Sequence, residues 1–131
     1  MKPIWMILPM VALSACSVRP DGSNGQRRDF YAPGVTYVQA YRHADAYLKQ
    51  CVRGFVGVSP NVTTGNLYPD SKRGELQTAN GSGVIIVRMT IDAANNGSQV
   101  DIVTIKKIGM WNTKDLDAMQ RAIETGTPTC P

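Results

Sequence analysis

The sequence predicts an α+β domain, a small antiparallel sheet with two helices packed on one of its faces. Three observations carry this. An apolar stripe at helical spacing runs from Val38 to Phe55. Two apolar runs follow, joined by Asn95-Asn96-Gly97, whose asparagines and glycine tolerate the positive φ of a hairpin turn. A second helical stripe, Leu116, Met119 and Ile123, comes after them.

The first helix begins near Thr36, because Thr36 and Gln39 stand at capping-box spacing. Val38, Tyr41, Ala44, Leu48, Cys51 and Phe55 recur at steps of three and four and define its buried face, with Gly54 and Gly57 expected to end it. From 57 to 82 turn formers dominate. Leu67-Tyr68 and Glu75 to Thr78 read as a hairpin around Pro69-Asp70. Gly81-Ser82-Gly83 precedes a strand rather than a helix, so it is a turn and not a phosphate loop. Gly83 to Asp92 is the strongest strand, with Ile85, Val87, Met89 and Ile91 on one face. Ser98 to Lys107 returns beside it. Asn112 or Thr113 can cap the second helix, and Asp115 and Asp117 suit its N-terminal dipole. Gly126 and Pro128 stop it.

The N-terminus has a different character. Lys2 precedes a short apolar run, Ile4 to Leu13, about half the roughly 20 residues that span a bilayer. A charged start, a short apolar core and small residues at its exit make a secretory signal peptide over 1–15. Leu13-Ser14-Ala15-Cys16 resembles the bacterial lipobox. That resemblance implies cleavage before Cys16 and lipid attachment to its thiol. Ser17 in place of aspartate implies sorting to the outer membrane, with the domain facing the periplasm. The alternative is an ordinary signal peptide with a chance cysteine. Residues 16–34, rich in proline and glycine with no apolar period, read as the lipidated cysteine and a flexible tether. Residues 35–131 read as a single periplasmic domain.

Three cysteines are odd for an exported chain. With Cys16 lipidated, Cys51 and Cys130 remain for one disulfide in an oxidising compartment. Two buried free thiols are the alternative. One histidine, His43, and two distant cysteines do not make a metal-ligand set, so no metal or other cofactor is expected.

From Gly83 to Pro131 the pattern resembles the C-terminal domains of TonB and TolA. "GVIIVRMTID", a glycine turn, "QVDIVTIKKIG" and "LDAMQRAI" carry the likeness, with "YLKQCVRGF" as a preceding helix. The resemblance implies a fold used for protein contact across the periplasm, often by adding a strand to a partner. Here the anchor is expected to be lipid rather than a transmembrane helix.

A net charge of +4 is mild, and the basic residues come singly or in pairs with few aromatics between them, which excludes a nucleic-acid surface. His43 lies within a helical segment between Arg42 and Asp45, with no triad pattern around it. The expected function is therefore that of a non-enzymatic lipoprotein: an outer-membrane-anchored protein-interaction module in a cell-envelope assembly. The partner is an envelope protein, bound through the 84–91 strand if that strand lies at an edge or through the 57–82 loop. The second expectation is a cell-wall or small-ligand binding lipoprotein using Tyr68, Lys72, Arg73 and Trp111.

Overall fold

The computed structural model describes residues 25–53, 60–105 and 113–131. The expected signal peptide, Cys16, the first part of the tether, Gly54, Phe55, Gly57, Lys107, Trp111 and the cap candidate Asn112 lie outside the described residues. Seven elements follow in order: β1 (Gly25–Pro33), α1 (Tyr37–Cys51), β2 (Val62–Tyr68), β3 (Arg73–Ala79), β4 (Ile85–Ala94), β5 (Gly97–Ile105) and α2 (Thr113–Thr125). The strands form one antiparallel sheet in the order β1-β5-β4-β3-β2. Both helices touch the sheet and each other, which gives the α+β class.

Local chemistry explains most of the boundaries. Thr36 Oγ1 accepts from the Gln39 backbone N–H at 3.2 Å, and Gln39 Oε1 accepts from the Thr36 N–H at 3.0 Å. This reciprocal pair satisfies two of the free donors at the start of α1. The helix ends at Cys51, earlier than the glycines at 54 and 57 suggested, with the Val52 N–H donating to the Leu48 carbonyl. The β4–β5 turn holds Asn96 at φ +59. In the β3–β4 turn, Asn80 Oδ1 accepts from the N–H groups of Ser82 and Val84, each at 3.0 Å, so 81–83 is a side-chain-braced turn. Gly126 ends α2 at φ +76 while its N–H donates to the Ala122 carbonyl.

The core lies between the helices and one face of the sheet. Register places Leu76, Met89 and Ile102 in one row across β3, β4 and β5. Ile91, Val100 and Phe30 form a second row across β4, β5 and β1. All six are buried beneath Leu48 and Tyr47 of α1 and Met119 and Ile123 of α2. The third row is Thr78, Val87 and Thr104. Its two buried hydroxyls are paired, Thr78 with the Thr63 hydroxyl at 2.9 Å and Thr104 donating to the Gln26 carbonyl at 3.3 Å. Pairing removes the cost of burying them.

Gly65 on β2 matters to how α1 seats. A Cβ there would stand 2.5 Å from the Tyr41 hydroxyl and 2.5 Å from Leu76 Cδ2. The bare backbone lets the Tyr41 side chain reach the sheet. Tyr41 thus packs against the core, on the buried face of α1 that the spacing predicts.

Residues 25–33 correct the expected tether. They are an edge strand paired along its whole length with β5, from Gly25 opposite Ile105 to Pro33 opposite Gly97. Phe30 and Ala32 point into the core, while Arg27, Asp29 and Tyr31 point the other way. The composition conceals this because only two of nine positions carry the apolar signal. The inward Arg28 also breaks the alternation; its guanidinium makes an ion pair with Asp117 of α2.

Cys51 and Cys130 form the expected disulfide, with a Cα–Cα distance of 5.3 Å across a sequence separation of 79. Residues 126–131 after α2 are mostly exposed, so the bridge is what fastens this tail to the end of α1.

Tyr47 is 2% exposed, and burial first, then the charge of Asp115, pushes its phenol up to about 12. The unfolded value is near 10. The folded state therefore favours the neutral phenol. This stabilisation is complete below about pH 10 and is lost as pH rises through about 12, a loss of about 2 kcal/mol by pH 12. Urea unfolding midpoints measured from about pH 9 to pH 12 should fall for the native chain and fall distinctly less for Tyr47→Phe. Identical slopes would assign the base sensitivity to other groups.

Candidate binding surface

The face of the sheet turned away from the helices carries most of the polar side chains of the five strands. Register arranges them in three rows. The first runs Tyr31, Gln99, Asp92, Arg73, Tyr68; the second Asp29, Asp101, Thr90, Glu75, Asn66; the third Arg27, Val103, Arg88, Gln77, Thr64. Cross-strand neighbours on one face are within reach of one another, so each row sets these side chains side by side.

Two of the three guanidinium groups on this face are engaged. Arg27 donates through Nε and Nη2 to the two Asp101 carboxylate oxygens, each at 2.9 Å. Arg73 donates to Asp92 at 2.6 and 3.3 Å. Hydrogen bonding to these aspartates, and then their charge, raises the pKa of both arginines further. Arg88, half-buried on the central strand β4, has neither ion pair nor hydrogen bond among the described residues. Its row neighbours are Gln77 and Val103, and neither can neutralise it.

A depression of about 520 Å³ lies over β2, β3 and β4 on this face. Thr64, Gln77 and Arg88 line one side, and Asn66, Glu75 and Thr90 the other, with Arg73 at a corner. The lining is rich in hydroxyls, amides and charges and poor in apolar surface. Such a site suits a hydroxylated, charged ligand rather than an apolar one.

The sheet has two edges of opposite design. Edge strands present unpaired backbone groups, and charges or proline protect them. β1 carries Arg27, Arg28, Asp29 and Pro33. β2, VTTGNLY, has no charged residue and no proline, and six of its seven residues are exposed. Val62 is 55% exposed and Tyr68 42%.

Of the residues singled out in the sequence, Tyr68, Lys72 and Arg73 come together at the β2–β3 turn. Tyr68 and Arg73 are cross-strand partners that close it. Lys72 adopts φ +50, and its carbonyl accepts from the Ala93 N–H at 2.9 Å, which ties the turn to β4. Trp111 is outside the described residues. The 84–91 strand is not an edge: β4 lies between β3 and β5, because the 62–68 and 73–79 strands extend the sheet past it. Of the two sites offered for partner contact, only the 57–82 region reaches an edge. Asp117 is more than a dipole-complementing residue, since it pairs with Arg28 of β1. His43 Nδ1–H donates to the Ile123 carbonyl at 2.8 Å and links α1 to α2.

Sequence reasoning did not reach Arg88, the aspartate pairs or the depression. The signal was the set of polar positions in "RGELQTA" and "VRMTID", which alternation assigns to one face. Their grouping depends on register, which those patterns leave open.

Among the described residues no group of histidine, cysteine, aspartate and glutamate could hold a metal ion, and no helix is long and apolar enough to cross a membrane. Neither a family model nor a curated protein matches the chain. Among solved structures, one titled "Crystal structure of Ara h 8.0201" aligns over 76% of this chain and 94% of its own, at 14% identity and a TM-score of 0.40. A likeness that distant carries no argument, and the α+β class rests on the elements described above.

Proposed function

We propose that the chain is an outer-membrane-anchored periplasmic lipoprotein whose domain is a non-enzymatic protein-interaction module of a cell-envelope assembly. Cys16 carries the lipid. The partner is an envelope protein that adds a strand along β2. The observation that carries this reading is the contrast between the sheet edges: β1 is charged and ends in proline, whereas β2 is uncharged, proline-free and exposed. An unprotected edge of this kind is a template for main-chain pairing. The likeness of 83–131 to TonB and TolA C-terminal domains favours the same role, and we extend the proposal to kinship in fold with them over the β4–β5 hairpin and α2. The second reading, a cell-wall or small-ligand binding lipoprotein, draws on the polar depression of the open sheet face.

A photoreactive residue at Asn66, in native membranes, should yield one specific protein adduct, and the same probe at Arg27 on β1 should not. Adding Val62→Lys, which places a charge on the open edge, should abolish the Asn66 adduct while leaving thermal unfolding within about 0.5 kcal/mol of the native chain. Adducts of equal yield at both edges, or at neither, would remove β2 as the docking edge. Intact mass of the membrane-extracted protein tests the anchor, and an unmodified Cys16 would overturn the outer-membrane assignment.

A further inference from the structure

We infer that the depression on the open face of the sheet is a binding site for a carboxylate-bearing saccharide, with Arg88 as the group that receives the carboxylate. This assignment rests on the second of the two readings above.

The first support is the state of the arginines. Three guanidinium groups share this face, and two are held bidentately by aspartates. The third, Arg88, lies on the central strand β4, half-buried and without a partner among the described residues. A half-buried cation that forgoes an internal carboxylate is a ready recipient for an external one. The planar fork of arginine matches a carboxylate in two parallel hydrogen bonds.

The second support is what surrounds it. Glu75, diagonal to Arg88 across the β3–β4 pair, lines the depression. A carboxylate there can only accept, so it calls for donors, and adjacent sugar hydroxyls supply them. Asn66 and Gln77 each offer both a donor and an acceptor, and Thr64 and Thr90 add hydroxyls. The two rows therefore present one cation for a carboxylate, one anion for hydroxyls, and four neutral groups that can serve either hydroxyls or acetamido groups. The volume of about 520 Å³ falls in the range of small-molecule sites and is generous for a single sugar ring. The exposed Tyr68, on the same face two residues from Asn66 and cross-strand to Arg73, offers a ring for a sugar to lie against.

A carboxylate on a sugar can come from a lactyl ether, as in muramic acid, or from an oxidised C6, as in a uronic acid. The experiment separates these sources. The full chain in detergent micelles is titrated with a disaccharide of N-acetylglucosamine and N-acetylmuramic acid, with a digalacturonic acid, and with the uncharged N-acetylglucosamine disaccharide. Binding is read by isothermal titration and by NMR shifts of the backbone amides. At least one acidic disaccharide should bind at least about tenfold more tightly than the neutral one, as one charge-assisted contact requires. The shifts should concentrate at 64–66, 75–77 and 88–90. Arg88→Met should lose about tenfold for the acidic ligand and leave the neutral one unchanged. Arg42→Met, which removes an exposed cation of α1 away from this face, should change neither, and unfolding midpoints of both variants confirm that the fold persists. The proposal is overturned by equal affinity for acidic and neutral disaccharides, by shifts elsewhere on the chain, by an unaffected Arg88→Met, or by an acidic peptide that binds the same amides as tightly. Failure here leaves crosslinking at β2 untouched, so the two readings fail separately.

Discussion

Replacing Gly25–Pro33 by nine glycine and serine residues is expected to abolish cooperative folding. The strand pairs with β5 at all nine positions, and it places Phe30 and Ala32 in the core. Truncating a buried phenylalanine alone costs about 3–5 kcal/mol. Losing the ladder as well approaches the whole net stability of a small domain, about 5–15 kcal/mol. β5 would also become a new edge, and its apolar residues would invite association. The check is urea unfolding by circular dichroism, with Phe30→Ala as a milder companion expected to lose about 3 kcal/mol and keep a cooperative transition. A native-like midpoint in the nine-residue replacement would return 25–33 to the role of a tether.

The second large effect concerns the bridge. Removing it with Cys51→Ser and Cys130→Ser together should lower stability by about 4 kcal/mol, since cross-linking residues 79 apart restricts the unfolded chain strongly. The tail should respond most. Residues 126–131 are mostly exposed, so without the bridge their amides should exchange freely and the tail should become a protease target. Urea unfolding and hydrogen exchange of the double variant measure both effects. Unchanged midpoints and unchanged exchange in the tail would mean that other contacts hold the C-terminus.

Of these two predictions, the second rests on a feature the sequence showed and the first on one it did not. The bridge was legible because cysteine chemistry is discrete: two candidates remained once Cys16 was set aside, and α1 placed Cys51 in its last turn. The capping box at Thr36, the hairpins and the stripe of α2 were legible for a related reason. Each is a rule about residues close in the chain, so spacing alone reveals it. β1 was not legible. Its outward positions are Arg27, Asp29 and Tyr31, and Arg28 interrupts the inward ones, so a period-2 signal survives only at Phe30 and Ala32. What makes it a strand is the free edge of β5, about 70 residues away.

The candidate sites divide in the same way. The polar positions of β3 and β4 could be assigned to one face from alternation, because successive side chains in a strand point to opposite sides. Which of them meet depends on register across strands. A shift of one residue in a pairing would turn Arg88 toward the core and Met89 outward. The order β1-β5-β4-β3-β2 likewise decided that β4 is central and that β2 has a free edge. The sequence by itself thus determined the α+β class, the capping box of α1, the glycine stop of α2, the hairpins and the one disulfide, since local sterics and cysteine count govern them. Only the tertiary structure decided the fifth strand, the exposed edge and the unpaired Arg88. Those depend on which distant segments share a hydrogen-bonded ladder, and pattern within a segment does not encode its partner.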